Sequence, residues 1–524
     1  MKELRFEDLS IRQKLGMTYT AFLRCGADSK EEDDFVINLI KEHALGCVWI
    51  QFNNTGCDPE EAMRRVKEAA DYPILIVTDA ESGIGEYTIG NHGSIGRTGS
   101  EEHAYAFGKA TAVTARKMGY NLVCNPLLDM KPGESRSLGG DKYAVTKLAA
   151  AVARGMHDGG VLTLGKHYPS GTNAFGIDPH MAESVSYETK EDLIENNLYP
   201  YIQLNNMGLL DGIMSAHMRF DNIDPDRPAS LSRKVMDIIR EQGFEGIVMT
   251  DALCMMGIKA KFGDVQSKGL AIAAGNDLIL PYSAFNKQTF EEHCQAYDEG
   301  IIPDDILDEA VKRVLEAQHK TMELPKDGEL TEDEIQLFRN ISMDGVYAKT
   351  DDGVTPEISR DGRHFFAVML PNPTSVGMDG KPDVDTFSGG WYSKDAIEAK
   401  IKELFPNSDI GYFSEFPSQM NNLNILERTF GYDELIFVTF SQYQAYMGDE
   451  HLTRRLEILI NAMQYTDRIT GLVHFGNPYV LNNLSHIRRY IVGSTSADSI
   501  DACFEVLGGR YPAKGTLNCD AKLN

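Results

Sequence analysis

Charged and imidazole side chains stand at the ends of several short apolar runs in the first half of the chain. Carboxylates accept hydrogen bonds from sugar hydroxyls, and lysine and histidine donate or accept at others. One aspartate after a strand is often only a helix N-cap, but several strands ending in this way favour a pocket for a neutral polyol. These residues are Asp79, Glu81, Asp129, Lys166, His167, His217 and Asp251.

Asp251 is the residue of this set with the clearest potential for covalent chemistry. It closes the run Gly246–Thr250 and precedes Ala-Leu-Cys-Met-Met-Gly-Ile. A carboxylate at the end of an apolar strand can attack an anomeric carbon, and retaining glycosidases pair such a nucleophile with a second acid. No cluster of these residues has the spacing of a metal site, and we expect neither a metal nor an organic cofactor.

The runs that carry these residues alternate with amphipathic helical stretches such as Glu60–Ala70, Glu101–Met118 and Leu231–Gln242. Strands that are apolar on both faces and alternate with helices predict parallel βα units. Such units over about 320 residues favour a (β/α)8 TIM-type barrel, whose active site lies where the strands end. The runs are Gly46–Phe52, Ile74–Asp79, Asn121–Pro126, Val161–His167, Asp211–His217, Gly246–Asp251 and Asp277–Pro281.

A second region follows a polar stretch that contains Pro and Gly, as linkers do. We predict a barrel over residues 1–322, a linker over 323–345, and a smaller three-layer α/β sandwich over 346–524. The sandwich has no G-x-G-x-x-G spacing, so a nucleotide site is not predicted. Its strand candidates are His364–Leu370, Ile410–Phe413, Leu435–Phe440, Gly471–Phe475 and Tyr490–Val492.

Composition narrows the class of partner. The chain has 524 residues and a net charge of −27, which disfavours nucleic acid and anionic lipid. It shows no secretory leader and no apolar stretch long enough to cross a membrane. Its eight cysteines include no C-x-x-C pair, so we expect reduced thiols and a cytoplasmic location. The expected partner is a small carbohydrate, not nucleic acid or membrane, and a homodimer is a possible assembly.

The order of motifs along the chain resembles glycoside hydrolase family 3, in particular its β-N-acetylglucosaminidase (β-hexosaminidase) branch. Each motif is weak alone, but their common order over almost the whole chain makes chance a poor explanation. The run that ends at Asp251 is similar to the nucleophile signature of the family. The motifs are Leu9–Met17, Asp79-Ala-Glu81-Ser-Gly83, Asn125-Pro-Leu-Leu-Asp129, Arg136-Ser-Leu-Gly139-Gly-Asp141, Gly165-Lys-His-Tyr-Pro169, Met214-Ser-Ala-His217, Gly246-Ile-Val-Met-Thr-Asp251, Ala274-Gly-Asn-Asp277 and Phe475-Gly-Asn-Pro478.

The resemblance implies a role for each matched position. Asp251 is implied to be the nucleophile, His217 to line the floor of the site, and Asp129 to support the loop that carries Arg136. The residues implied to bind hydroxyls of the terminal sugar are Asp79, Arg136, Lys166 and His167.

The chain departs from the family pattern in two places. After Pro169 the expected Gly-His-Gly-Asp run is replaced by Ser-Gly-Thr-Asn, and Asp178-Pro-His180 stands where the family has Asp-Ser-His. Tyr87 stands where the branch usually carries an arginine that helps to hold the sugar. The general acid/base is therefore open between Asp178 or His180, a carboxylate of the second domain, and no acid at all. Glu415 and Glu450 are the second-domain candidates.

These observations together predict an exo-acting retaining β-glycosidase. The expected substrate is a terminal β-linked N-acetylglucosamine on a small glycoside or cell-wall fragment, with Asp178 and His180 as the favoured acid/base. The alternatives are a β-glucosidase-like enzyme on the same scaffold, a sugar-binding protein that has lost its acid, and a phosphorylase.

Overall fold

The first part of the chain is an eight-stranded parallel sheet whose strands pair in sequence order. The computed structural model describes residues 2–52, 56–130, 136–174, 177–370, 392–441, 452–464, 471–484 and 487–517, together with 521 and 523. The strands are β1 (Thr20–Phe22), β2 (Cys47–Trp49), β3 (Leu75–Thr78), β4 (Leu122–Val123), β5 (Leu162–Tyr168), β6 (Gly212–Ser215), β7 (Ile247–Ala252) and β8 (Leu278–Leu280).

The sheet is a barrel because its last strand returns to its first. Tyr19 and Ile279 form a parallel bridge, and the N–H of Ile279 donates to the carbonyl of Thr18 at 2.9 Å. Alternate residues of each strand point inward, and their apolar side chains fill the interior in layers, as in other (β/α)8 barrels. This interior includes Cys47, Leu75 and Met249. The expected TIM-type barrel is therefore confirmed.

Helices surround the barrel and fill the space between its strands and solvent. Two short two-stranded ladders lie outside the barrel sheet: Gly83–Ile84 with Tyr87–Thr88, which is antiparallel, and Val185–Ser186 with Arg219–Phe220, which is parallel. The helices are α1 (Ile11–Met17), α2 (Lys30–Lys41), α3 (Pro59–Ala69), α4 (His92–Thr98), α5 (Glu101–Met118), α6 (Lys142–Gly159), α7 (Lys190–Asp192), α8 (Tyr199–Asn206), α9 (Arg233–Glu241), α10 (Met256–Lys259), α11 (Asp264–Ala274), α12 (Asn286–Asp298) and α13 (Asp304–Glu323).

Local sequence explains the bounds of α5, one of the long helices of the barrel. The hydroxyl of Ser100 caps the first turn of α5, and Gly119 ends it with φ +111°, a conformation that favours glycine. Close packing of α5 on α6 also depends on glycine, because a Cβ at Gly108 would lie 2.1 Å from the carbonyl oxygen of Val152.

The second part of the chain is a six-stranded sheet with helices in its connections. Its order is β9-β14-β13-β12-β10-β11, with β9 antiparallel to β14 and the other pairs parallel. This α/β sandwich confirms the predicted class of the second domain. The elements are β9 (Tyr347–Thr350), β10 (His364–Leu370), β11 (Asp409–Ser414), β12 (Glu434–Phe440), β13 (Gly471–Phe475) and β14 (Arg489–Gly493), with helices α15 (Lys394–Leu404), α16 (Gln419–Arg428), α17 (Arg454–Gln464) and α18 (Ala497–Leu507).

The predicted linker contains a helix of its own, α14 (Glu332–Asp344). Thr331 and Glu334 form a capping box at its start, and Lys109 of α5 contacts Glu334 at 2.6 Å. The helix packs on α5 of the barrel and on α18 of the sandwich, so the connection between the two parts is ordered. The boundaries 322 and 346 themselves stay a prediction.

Two strands of the barrel and sandwich sheets escaped the sequence-based prediction. β1 has only three residues, and β9 is a partly exposed edge strand with no continuous apolar run. Both pair through partners that are distant in sequence, so local pattern gives little signal for them. Among the described residues, no helix is long and apolar enough to cross a membrane.

Candidate active site

Asp251 lies near the end of β7, half-buried at the carboxyl end of the barrel. The N–H of Ala252 donates to its Oδ1 at 2.7 Å. Burial alone would raise the pKa of Asp251, but the nearby imidazole of His167 and this N–H outweigh burial and hold the pKa below its ordinary value of 3.8. An ionised carboxylate is therefore the stable form of Asp251 at neutral pH, as a nucleophile requires.

A cleft opens in front of Asp251. Polar groups in, or directly after, the strands β4, β5, β6 and β7 converge on it, so the structure brings together residues that are far apart in sequence. Its lining includes Arg136, His167, His180, His217 and Asp251.

His180 is brought to this cleft by the loop that follows β5. Its Nδ1–H donates to Asp178 Oδ1 at 2.7 Å, and its backbone N–H donates to the same oxygen at 2.9 Å. The side chain of Asp178 is only 2 % exposed, whereas that of His180 is 19 % exposed. Asp178 therefore orients the ring from behind, and Nε2 is the nitrogen that can exchange a proton with a substrate.

His217 is fully buried beneath the cleft, after β6. Its Nε2–H donates to the carbonyl of Ala252 at 3.0 Å, so its Nδ1 accepts from the hydroxyl of Ser230 at 2.7 Å. Burial lowers the pKa of His217, although Asp251 acts in the opposite direction. The neutral ring thus fixes the backbone next to Asp251 and forms part of the floor, where the resemblance placed it.

Lys166 joins the carboxylates that follow β3. Its ammonium Nζ lies 2.7 Å from Asp79 Oδ1 and 3.1 Å from Glu81 Oε2. Burial opposes the charge of Lys166, but these two carboxylates outweigh it and raise the pKa of Lys166 above its ordinary value. The side chain of Asp79 remains 35 % exposed, so this pair can present both a donor and an acceptor to a sugar hydroxyl.

Glu81 is a candidate site residue that the sequence-based assignment of roles passed over. Its two oxygens accept from Nε and Nη2 of Arg136 at 2.6 and 2.8 Å, in the bidentate geometry typical of strong arginine–carboxylate pairs. Burial would raise the pKa of Glu81, but Arg136 and Lys166 hold it well below the ordinary value. Glu81 thus positions two predicted sugar ligands at once. The spacing Asp79-Ala-Glu81 after a strand was the available signal.

His167 is held by Asp129, which is itself 5 % exposed. The Nδ1–H of His167 donates to Asp129 Oδ2 at 2.7 Å, and its backbone N–H donates to Oδ1 at 3.2 Å. Its Nε2 lies 3.4 Å from Nη2 of Arg136. Asp129 therefore orients the ring of His167 next to Arg136; its expected role as a support of the loop that carries Arg136 stays a prediction.

A buried histidine that no sequence motif indicated lies behind these residues. His92, at the start of α4, is 1 % exposed, and burial lowers its pKa to about 4 although Glu81 acts in the opposite direction. The preceding Asn91 donates through Nδ2 to the hydroxyl of Thr495 at 3.3 Å. The sandwich domain therefore touches the segment that backs the Glu81 cluster.

The remaining candidates lie away from the cleft or outside the described residues. Tyr87 packs edge-to-face on Phe338, with ring centroids 5.2 Å apart, and does not line the cleft in front of Asp251. Glu415 follows β11, an edge strand of the sandwich sheet. The contact with the barrel is made by Thr495, which follows β14 on the other side of that sheet. Glu450 lies outside the described residues. In the described part of the chain, no group of three or more potential ligands could hold a metal ion.

Comparison with known proteins decides the family. The Glycosyl hydrolase family 3 N terminal domain matches residues 15–317, which is more than half of the 524-residue chain. The chain belongs to glycosyl hydrolase family 3. This membership confirms the resemblance seen in the motifs and makes the protein a glycoside hydrolase by family.

Two relatives of this family 3 chain carry the name β-hexosaminidase. One from Idiomarina loihiensis is 31 % identical over 238 residues, which are 42 % of this chain and 71 % of the relative. One from Tolumonas auensis is 29 % identical over 232 residues, 42 % of this chain and 69 % of the relative.

Solved structures share the whole two-domain fold of this family 3 chain. A β-N-acetylglucosaminidase from Paenibacillus sp. has a TM-score of 0.79 at 22 % identity, covering 98 % of this chain and 100 % of its own. The β-glucoside phosphorylase BglX has a TM-score of 0.79 at 20 % identity, covering 99 % and 95 %. A β-glucosidase from Listeria innocua has a TM-score of 0.73 at 16 % identity, covering 99 % and 76 %. The fold therefore serves several named activities, and the site residues must distinguish them.

Proposed function

We propose that this chain is an exo-acting retaining β-glycosidase that removes terminal β-linked N-acetylglucosamine from small glycosides or cell-wall fragments. The observation that carries the proposal is the ionised Asp251 at the end of β7 in one cleft with the Asp178–His180 pair. A carboxylate nucleophile and a nearby proton donor are the two groups that retaining hydrolysis requires. The proposed reaction uses no metal and no organic cofactor.

In the first step of the proposed reaction, Asp251 attacks the anomeric carbon while His180 gives its Nε2 proton to the departing oxygen. Asp178 stabilises the imidazolium form, because its carboxylate accepts from Nδ1–H at 2.7 Å. In the second step, neutral His180 takes a proton from water, which attacks the anomeric carbon and releases Asp251. The sugar is held by its hydroxyls at Asp79, Arg136, Lys166 and His167, and His217 lies beneath it.

The choice of N-acetylglucosamine is supported by the names of the relatives. The curated relatives are β-hexosaminidases, and the Paenibacillus structure that covers the whole chain is a β-N-acetylglucosaminidase. A glucoside is the alternative substrate, because the Listeria innocua neighbour is a β-glucosidase. A sugar-binding protein without catalysis is the alternative that the proposed acid, His180, disfavours.

Phosphorolysis is the second candidate reaction. After it has given up its proton, an imidazole base is neutral and does not repel phosphate, whereas a carboxylate base would. With His180 as the base, phosphate can therefore take the place of water as the acceptor without charge repulsion from that base. The fold likeness to a β-glucoside phosphorylase is compatible with this candidate.

The proposal is tested with aryl β-glycosides of N-acetylglucosamine and of glucose, with and without inorganic phosphate. We expect faster turnover of the N-acetylglucosaminide and free sugar as the product; sugar 1-phosphate would instead establish phosphorolysis. Asp251→Asn should lower kcat by at least about a thousandfold, since no nucleophile remains. Asp264→Asn on α11 is the matched control. Undiminished turnover by the Asp251 variant would rule out the mechanism.

We also propose a cytoplasmic location and a homodimer. Free thiols are typical of reducing compartments, and the seven cysteines that the structure describes are all free. A dimer would cover exposed apolar side chains around α16, namely Phe416, Met420, Leu423 and Phe430. Cell fractionation and sedimentation velocity test the two proposals; a periplasmic or secreted protein, or a concentration-independent monomer, would reject them.

A further inference from the structure

The segment that follows the nucleophile also carries the loop with the proposed acid/base. Its first residues are tied to the barrel, since the N–H of Leu253 donates to the carbonyl of Leu280 at 2.9 Å and that of Met255 to Ala252 at 3.1 Å. Helix α10 begins directly afterwards, at Met256. The position of α10 is therefore fixed relative to Asp251.

The His180 turn, residues 178–182, lies directly on the first turn of α10. Within this turn the N–H groups of Met181 and Ala182 donate to the carbonyl of Asp178 at 2.9 and 3.1 Å. Two backbone N–H groups of α10 donate to backbone carbonyls of the His180 turn. The N–H of Met256 donates to the carbonyl of His180 at 3.3 Å, and the N–H of Gly257 donates to the carbonyl of Pro179 at 3.1 Å. The backbone of His180 is thereby attached to the helix that follows the nucleophile.

The side-chain requirement at position 257 is strict for a steric reason. A Cβ on Gly257 would lie 2.9 Å from the carbonyl oxygen of Pro179 and 3.1 Å from that of Ala182. Both atoms are backbone of the His180 turn, so a side chain at 257 has to push the turn away. Helix propensity does not explain glycine here, because glycine in a helix is about 1 kcal/mol less favourable than alanine.

We propose that Gly257 is a positioning residue for the proposed reaction: its lack of a side chain seats the His180 turn on α10 and so sets the separation of His180 from Asp251. This inference rests on the proposed function. The separation of the two catalytic groups decides whether a retaining site can act on both steps, and a misplacement of about 1 Å can cost about a hundredfold in rate. Nucleophilic attack by Asp251 itself does not depend on the contact between the His180 turn and α10.

The test compares Gly257→Ala and Gly257→Val with Gly263→Ala. Gly263 precedes α11, and a Cβ there meets nothing within 4 Å, so its variant controls for the loss of a glycine in the same region. Each variant is assayed on a dinitrophenyl N-acetylglucosaminide, whose leaving group needs no proton, and on a disaccharide of N-acetylglucosamine, whose leaving group does.

We expect kcat/KM on the disaccharide to fall about tenfold for Gly257→Ala and about a hundredfold for Gly257→Val. On the dinitrophenyl substrate both variants should stay within about twofold of wild type, because protonation is not required. The Gly263 variant should match wild type on both substrates. Equal losses on the two substrates, or no loss, would overturn the proposal.

Hydrogen exchange supplies a readout that does not need turnover. In Gly257→Ala, backbone amides of residues 178–186 should exchange faster than in wild type and in Gly263→Ala, while those of β7 should be unchanged. Unchanged exchange of residues 178–186 would refute the role of Gly257 in placing the His180 turn on α10, even if the variant were inactive. One outcome separates the two proposals: the wild-type protein turns over neither substrate, while exchange in Gly257→Ala increases as expected. That result would refute the proposed function but would support the role of Gly257 in placing the His180 turn on α10.

Discussion

Glutamine in place of Glu81 should destabilise the barrel, because Glu81 balances the buried cation of Lys166 and the partly buried cation of Arg136. Its oxygens accept from Arg136 at 2.6 and 2.8 Å and lie 3.1 Å from Nζ of Lys166. The side chains of Lys166, Glu81 and Arg136 are 2, 15 and 24 % exposed, so water screens them little. Glutamine has nearly the same size and removes only the charge and one acceptor.

The expected loss follows from what the two cations retain. Removing one partner of a buried ion pair costs about 3–5 kcal/mol. Glutamine still offers one oxygen to Arg136, and Lys166 keeps Asp79 at 2.7 Å. We therefore expect the lower end, about 3 kcal/mol in the free energy of unfolding of the barrel. Glu86→Gln in the adjacent hairpin, where the glutamate is exposed, is the matched control and should change little.

The pH dependence of this difference has a defined sign. The pKa of Glu81 is held well below its ordinary value of 4.5 in the folded state. Its charge therefore stabilises the fold fully above pH 4.5, and this contribution disappears as the pH falls through the folded-state pKa. The difference between wild type and Glu81→Gln should be constant from about pH 6 to pH 8 and should shrink in acid.

Urea unfolding followed by tryptophan fluorescence measures this quantity. The sequence has two tryptophans, and Trp49 of β2 is 4 % exposed inside the barrel. In a Trp391→Phe background, Trp49 alone reports barrel unfolding. A loss below about 1 kcal/mol at pH 7, or a difference that grows as the pH falls, would refute the account of Glu81 as the counter-charge of Arg136 and Lys166.

Three further outcomes test other parts of the structure. Asp129→Asn should lower kcat/KM about tenfold to a hundredfold, because a hydrogen bond to a charged group contributes about 1.5–3 kcal/mol; a steady-state assay that finds wild-type values contradicts the support of His167. Asp277→Asn should cost about 3–5 kcal/mol in urea unfolding yet leave kcat at 25 °C unchanged, since buried Asp277 accepts from Arg240 and from Arg313 at 2.8 and 3.1 Å. On the dinitrophenyl substrate, kcat/KM should remain level from pH 7 down to about pH 5, because the pKa of Asp251 lies below 3.8; a decline centred in that range would mean that Asp251 is not ionised as described.

Local sequence determined much of the architecture. Apolar runs over seven of the eight barrel strands are long enough to be recognised, since strands buried on both faces are apolar throughout. Helix α5 coincides with the predicted Glu101–Met118 because both its ends carry local signals, a serine cap and a left-handed glycine. β1 and β9 give no such signal, because they form by pairing with strands that are distant in sequence and their own residues carry little local strand pattern.

Motifs at strand ends also predicted many residues of the candidate site. Asp79, Lys166, His167, His217 and Asp251 could be assigned because a parallel barrel carries the ends of all its strands to one mouth. The sequence alone therefore determined which residues meet, and their chemistry pointed to a neutral sugar.

Only the tertiary structure decided how these residues are held. The pairing of Glu81 with Arg136 and Lys166, the burial of His92 behind Glu81, and the contact of Gly257 with the His180 turn join segments tens of residues apart. Such contacts produce no periodic pattern in the sequence of either segment, because each contact depends on how the fold places a distant segment. The acid/base was open in the sequence for the same reason: Asp178 and His180 reach the cleft through the path of a loop, which no local pattern specifies.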